Sequence, residues 1–190
     1  MPAALSESPN AARKCGKGVG TAFAFWPVID YFCLQRLFLM AKLFLIDAYA
    51  LIFRSYYAFL GRSMHNGAGV NTAPIFGFTK FLRDIISRER PGYLGVAFDP
   101  KGGNFRHELY PLYKANRTAT PEDITAGIPY IKRILEAMRI PTLEVAGYEA
   151  DDVIGTLSVK AAADGFDVFM VTPDKDYGQL VTERSVIYKQ

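Results

Sequence analysis

Cysteine and histidine are nearly absent from this chain: its 190 residues hold two of each. Both cysteines, Cys15 and Cys33, fall in the first forty residues. The remainder therefore has no disulfide framework and no thiolate metal site. With His65 and His107 the only histidines, a histidine-based zinc centre is not expected. Charge of one sign is scarce too. The net charge is +3, and that alone names no partner. No clean membrane run exists. Residues 21–39 are hydrophobic and follow Arg13, Lys14 and Lys17, but Pro27, Asp30, Gln35 and Arg36 interrupt them. A spanning helix needs about 20 mostly apolar residues, and no small-x-small cleavage pattern follows the run. Residues 1–20, rich in Ala, Gly, Ser and Pro, show no period and are expected to be disordered. Residues 1–39 read as an extension with no folded role. Met40 reads as the natural start, so a chain beginning there is expected to be as stable as the full one.

What is present is a set of acids at strand ends. Leu43–Ile46 runs into Asp47, and Leu94–Phe98 into Asp99. Thr142–Val145 leads to Glu149, Asp151 and Asp152, and Val168–Val171 leads to Asp174 and Asp176. Between these runs the spacing predicts helices over Tyr49–Phe59, Ile75–Arg88, Pro121–Met138 and Ala150–Asp164. Pro91-Gly92 and Gly165 punctuate them, and Thr120-Pro121-Glu122-Asp123 reads as a helix start. A short helical turn over Tyr177–Leu180 and a fifth strand over Val186–Tyr188 complete the order. The inward stripes include Ala50, Leu51, Phe53, Tyr57 and Ala58 in the first helix. In the third they are Ile128, Ile131, Ile134, Leu135 and Met138. Strands alternating with helices imply an α/β fold, a mostly parallel sheet flanked by helices on both faces.

If the strands are parallel, all seven acids meet at the carboxyl edge of the sheet, where active sites of such sheets lie. Each acid alone has a bland reading. Glu149, Asp151 and Asp152 open a helix, Asp174 and Asp176 suit a turn, and Asp99 precedes Pro100. Capping does not require four successive strand ends to converge on acids. So many like charges repel unless something positive holds them, and hard ions such as Mg²⁺ or Mn²⁺ prefer oxygen ligands. Two such ions can flank a phosphodiester without a protein nucleophile. Residues 100–120 lack a core pattern and carry Lys101, Arg106, Lys114 and Arg117 among Phe105, Tyr110 and Tyr113. Those cations can form a basic rim for a phosphate chain, and Tyr113 can stack on an unpaired base.

Six ordered motifs carry a resemblance. They are Phe44-Leu45-Ile46-Asp47, Val96-Ala97-Phe98-Asp99, Phe105-Arg106-His107-Glu108, Tyr113-Lys114-Ala115-Asn116-Arg117, Gly147-Tyr148-Glu149-Ala150-Asp151-Asp152 and Asp174-Lys175-Asp176. Together, over residues 40–190, they resemble the 5′-nuclease domain of bacterial DNA polymerase I, of the flap-endonuclease family. The resemblance implies a PIN-like fold, with a helical arch over 100–120 that a 5′ strand threads. It implies cleavage of 5′ flaps, 5′ ends of DNA and RNA–DNA primer junctions in replication and repair. It implies metal ligands at Asp47, Asp99, Glu149, Asp151, Asp152, Asp174 and Asp176, holding two Mg²⁺ or Mn²⁺ ions in the complete domain. Arg106, Lys114 and Arg117 would engage the scissile phosphate. Lys101, Arg106, Tyr113, Lys114 and Arg117 would contact the strand. A monomeric, cytoplasmic, nucleoid-associated bacterial protein with no membrane role follows from the same resemblance. Pro173 stands where the family commonly has Gly. The family domain is expected to continue past Gln190 with a further acidic pair and a duplex-gripping helical element. The 190-residue chain is then the N-terminal half, expected to fold at least partly and to bind metal weakly. Alternatives are a ribonuclease of the small acidic type, which would lack the arch, and a noncatalytic nucleic-acid-binding module.

Overall fold

The computed structural model describes residues 42–62, 64–102 and 104–189. The expectations for residues 1–39, and for Met40 as a start, lie outside the described residues. Five strands form one sheet: β1 Lys42–Asp47, β2 Tyr93–Ala97, β3 Thr142–Leu143, β4 Asp167–Val171 and β5 Ser185–Tyr188. Five α-helices accompany them: α1 Ala48–Ala58, α2 Ala73–Glu89, α3 Phe105–Leu109, α4 Glu122–Ala137 and α5 Ala150–Ala163. A 3₁₀ turn spans Asp176–Leu180. Every strand pair is parallel, in the order β3-β2-β1-β4-β5.

A parallel strand covered on both faces must be apolar along its whole length. Leu43-Phe44-Leu45-Ile46 meets that demand, with Phe44, Leu45 and Ile46 buried. Side chains alternate across the sheet. Phe44 and Ile46 enter a core with Leu51 and Ile52 of α1, Phe78, Leu82 and Ile85 of α2, and Ile131 and Leu135 of α4. Leu45 faces the other way, into a smaller core with Ile154 of α5, Met170 and Tyr177. The chain steps from β1 out to β2 and β3 over one face. It then returns past β1 to β4 with α5 on the opposite face. That switch of face keeps each crossover right-handed as the direction reverses. It also leaves a crevice between the carboxyl ends of β1 and β4.

The expected elements are all present, with local corrections. The third strand stops at Leu143 instead of Val145, and Val145 is exposed, because β3 is an edge strand with one neighbour. Met138 is exposed, since α4 ends at Ala137 and Met138 caps it. Tyr57 and Ala58 are exposed as well; the inward stripe of α1 is Ala48, Leu51 and Ile52. Helix α2 begins two residues early, at Ala73, with Pro74 in its first turn where a missing N–H costs nothing. Helix α4 begins at Glu122 after Pro121, with no cap from the Thr120 side chain, and it contains Pro129. Pro129 is exposed and leaves the Thr125 carbonyl without its helical donor. Gly165, at φ +91°, ends α5 in the left-handed conformation.

Helices α1 and α2 approach closely because Gly77 has no side chain. A Cβ there would lie 2.5 Å from the Ser55 Cβ and 3.3 Å from its Cα. Gly77→Ala is therefore expected to destabilise the chain by about 1–2 kcal/mol, overpacking outweighing the better helix propensity of Ala. A thermal melt that rises instead would show that the two helices can separate freely.

Candidate metal and nucleic-acid site

The strand registers bring three acids to one end of the sheet. Asp47 pairs across from Ala97, two residues before Asp99, and Ile46 pairs with Val171, three before Asp174. A cavity of about 450 Å³ opens there, lined by Asp47, Asp99, Glu149, Asp151 and Asp174 together with Lys114 and Arg117. Asp47 ends β1 and caps α1: the Ala50 N–H donates to its Oδ1 at 3.1 Å. Burial, and then the charges of Asp99, Asp151 and Asp174, push its carboxyl up to about 6 against that one hydrogen bond. Asp99 Oδ1 accepts the Ala150 N–H at 2.7 Å, tying the end of β2 to the start of α5. Asp174 sits in a turn built by side chains: its N–H donates to Thr172 Oγ1, and the Asp176 N–H donates to Asp174 Oδ1. That turn accommodates Pro173, which needs no N–H there.

Two of the seven acids do not line the cavity. Asp176 opens the 3₁₀ turn. Asp152 is gripped by Arg106 through two parallel hydrogen bonds of 2.6 and 2.7 Å. The guanidinium fork holds the Asp152 carboxyl below its usual range, against partial burial. Glu149 is the most heavily bonded acid. Its carboxylate accepts from Lys114 Nζ at 2.6 Å, Asn104 Nδ2 at 2.7 Å and Tyr113 OH at 3.0 Å, with Arg106 3.5 Å away. Burial acts to raise this carboxyl, but the Lys114 ammonium, helped by Tyr113 and Arg106, brings it below the ordinary value. Asp151 goes the other way, raised by burial and by the charges of Asp152 and Glu149.

Among the described residues no group of three or more His, Cys, Asp or Glu side chains stands ready to hold an ion. Glu149 and Asp152 already have cations of the protein on them. The donors that line the cavity nevertheless suit a hard divalent cation, being carboxylate oxygens without sulfur or imidazole. A cation there would also relieve the mutual repulsion that raises Asp47.

The 101–120 segment holds α3 and then a run of turns rather than long helices. It lies down on the acids. Lys114 takes a left-handed backbone, φ +57°, uncommon for a side-chain-bearing residue. Its side chain reaches Glu149. Arg106 packs over the Phe105 and Tyr113 rings. Arg117 is exposed and lines the cavity, whereas Lys101 is exposed and does not. Tyr113 is half-buried, with its hydroxyl on Glu149 and its ring edge-on to His107. The sequence reading missed Asn104, a buried amide that joins α3 to Glu149. An Asn three residues before His107, whose backbone N–H it accepts, was a capping signal that pointed to it. It also missed Thr172, whose hydroxyl lies within 3.5 Å of Asp47 and supports Asp174.

The sequence pattern described as "5'-3' exonuclease, N-terminal resolvase-like domain" matches residues 42–190. DNA polymerase I of Treponema pallidum is 42% identical over 141 residues, covering 74% of this chain and 14% of that protein. DNA polymerase I of Synechocystis is 38% identical over 161 residues, covering 80% of this chain and 16% of that one. A 5'-3' exonuclease of Aquifex aeolicus is 40% identical over 148 residues, 78% of this chain and 50% of its own length. The chain thus spans half or less of the length of these curated relatives. Among solved structures, a bacteriophage T5 protein co-crystallised with metal ions aligns with TM-score 0.56 and 23% identity, over 77% of this chain and 53% of that one. A bacteriophage T5 flap endonuclease in a pseudo-enzyme-product complex with DNA and metal ions aligns with TM-score 0.57 and 23% identity, over 77% and 54%. At that identity the structural likeness speaks for the fold. The family pattern covers every described strand and helix, from β1 to β5, and the chain belongs to the 5'-3' exonuclease family, as its N-terminal resolvase-like domain.

Proposed function

We propose that this chain serves as a divalent-metal-dependent nuclease domain that hydrolyses DNA at 5′ flaps and 5′ ends, and RNA–DNA primer junctions. The observation that carries this reading is one cavity in which five carboxylates, three following strand ends and two at the start of α5, face Lys114 and Arg117. The T5 relatives solved with metal ions and with DNA support it. Asp47, Asp99, Asp151 and Asp174, joined by Glu149, would hold Mg²⁺ or Mn²⁺. Such an ion, when bound, polarises a phosphoryl oxygen and lowers the pKa of water.

The remaining work falls to this chain's own residues. Lys114 and Arg117 place positive charge where a strand's phosphates would enter, offsetting the repulsion of the acids. Lys114 must leave Glu149 to do so, exchanging one anion for another. Arg106 keeps Asp152 out of the cavity and fixes α3 against the start of α5. Asp99, bonded to the first N–H of α5, sets where Glu149 and Asp151 stand relative to β2. Tyr113 and the exposed Tyr110 offer rings to unpaired bases beside that path. We propose a monomer, with DNA as the partner. Among the described residues no helix is long and apolar enough to cross a membrane.

A labelled 5′-flap duplex tests the reading. Cleavage is expected with Mg²⁺ or Mn²⁺, to stop in EDTA and to be lost in Asp99→Ala. Preference for unstructured RNA over the flap would favour the ribonuclease alternative. Binding of the duplex that ignores EDTA, with no cutting at any metal concentration, would leave a noncatalytic module.

A further inference from the structure

Residues 105–120 lie on the molecule without a core of their own: none of them is buried. Leu109, Tyr110 and Leu112 are exposed, and only Arg106, Tyr113 and Lys114 are partly covered. Those three are the side chains that bond to the acids at the start of α5, Arg106 to Asp152, and Tyr113 and Lys114 to Glu149. The Lys114 ammonium and the buried Asn104 amide share Glu149 Oε1, at 2.6 and 2.7 Å, and the Tyr113 hydroxyl takes Oε2. Glu149 lines the acid cavity and Asp152 does not. Lys114 therefore sets its ammonium on a carboxylate of the cavity, while Arg106 anchors the segment beside it. Lys114 does so from a left-handed backbone, φ +57°, which a residue with a side chain keeps only where its surroundings hold it there.

We infer that Lys114 and a divalent cation compete for Glu149, so that the 110–117 stretch is latched down in the metal-free chain and released when metal binds. Two positive groups on one carboxylate repel, so the ammonium gives way to the ion. Opening is easy, because no residue of 105–120 has to leave a buried place. The Arg106–Asp152 fork stands outside the cavity and stays closed, which keeps α3 docked while the turns after it move. The coupling is reciprocal: the factor by which metal favours the open segment is the factor by which the closed segment weakens metal binding. A released Lys114 is then available to a strand's phosphate, which places metal binding before strand engagement. The inference rests on the metal reading of the cavity. It adds to that reading a latch and an order of events.

Two measurements on the 190-residue chain test it: Mn²⁺ binding, followed by electron paramagnetic resonance of the free ion, and hydrogen exchange in EDTA and in Mg²⁺. The amides of Tyr113, Ala115 and Arg117 bond within the turns, and saturating Mg²⁺ should speed their exchange several-fold. The Tyr110 amide, bonded to the Arg106 carbonyl at the end of α3, should not respond. Lys114→Met should bind Mn²⁺ about ten-fold more tightly, because the open form no longer has to be populated first. Its exchange in EDTA should already match that of the wild type in Mg²⁺. Arg117→Met removes a cation that lines the same cavity but is not among the partners of Glu149. It should tighten Mn²⁺ far less and leave exchange in EDTA slow. Exchange that Mg²⁺ leaves unchanged or slows, in a wild type that binds Mn²⁺, would overturn the inference whatever the variants do. So would equal tightening in Lys114→Met and Arg117→Met, the result of a general positive field. If the wild type binds no Mn²⁺, the metal reading of the cavity fails and this inference with it, an outcome seen before exchange is measured.

Discussion

Asp47→Asn is expected to abolish metal-dependent flap cleavage while making the metal-free chain more stable. The two effects come from one placement. Asp47 ends the central strand, is largely buried, and accepts a long hydrogen bond from the Thr172 hydroxyl and one backbone hydrogen bond, from the Ala50 N–H. An asparagine oxygen can still accept that bond, so the cap on α1 survives. What disappears is a charge that is desolvated and repelled by Asp99, Asp151 and Asp174. Relief of that charge should stabilise the chain in EDTA by about 1–2 kcal/mol. A cation held by these acids would lose its most central anionic ligand, and cleavage should fall by at least about 100-fold. Thermal melts in EDTA, paired with flap cleavage in Mg²⁺, decide it. Retained cleavage would remove Asp47 from the ion-holding set. A lower melting temperature would show that the carboxylate supports the fold beyond its capping bond.

Arg106→Lys should loosen the whole 104–117 segment although charge is conserved. Arg106 makes two parallel bonds to Asp152, stands 3.5 Å from Glu149 and lies over Phe105 and Tyr113. A lysine offers a point charge, which can neither match both carboxylate oxygens at once nor stack as a plane. The pair is partly solvated, which limits the cost to about 1 kcal/mol. The mechanical consequence is larger, because this fork and the Lys114–Glu149 pair hold the segment down on α5. Hydrogen exchange or limited proteolysis across 104–117 should speed up several-fold, and flap cleavage should drop by about ten-fold as Asp152 swings free. Unchanged protection in the variant would mean that Asn104 and Lys114 suffice to dock the segment.

Much of this was legible in the sequence because its signals are local. Leu43-Phe44-Leu45-Ile46 is apolar without alternation, which marks a strand covered on both faces, and it stops at an acid that caps the next helix. The misplacements have local causes as well. Tyr57 and Met138 fit their helical stripes by spacing, yet the packed face of α1 is set by its neighbours and α4 ends before Met138. Asn104 and Thr172 were missed because their partners lie 45 and 125 residues away in the chain.

The sequence by itself determined the order of strands and helices and the placing of acids at strand ends, since periodicity, caps and turns act over a few residues. Only the tertiary structure decided which acids share a cavity. That choice depends on strand order and register, which bring Asp47, Asp99 and Asp174 to the same end of neighbouring strands. It depends also on side chains distant in sequence, Arg106 on Asp152 and Lys114 on Glu149, which pair two of the seven carboxylates with the protein's own cations and leave Asp47, Asp99, Asp151 and Asp174 facing the cavity.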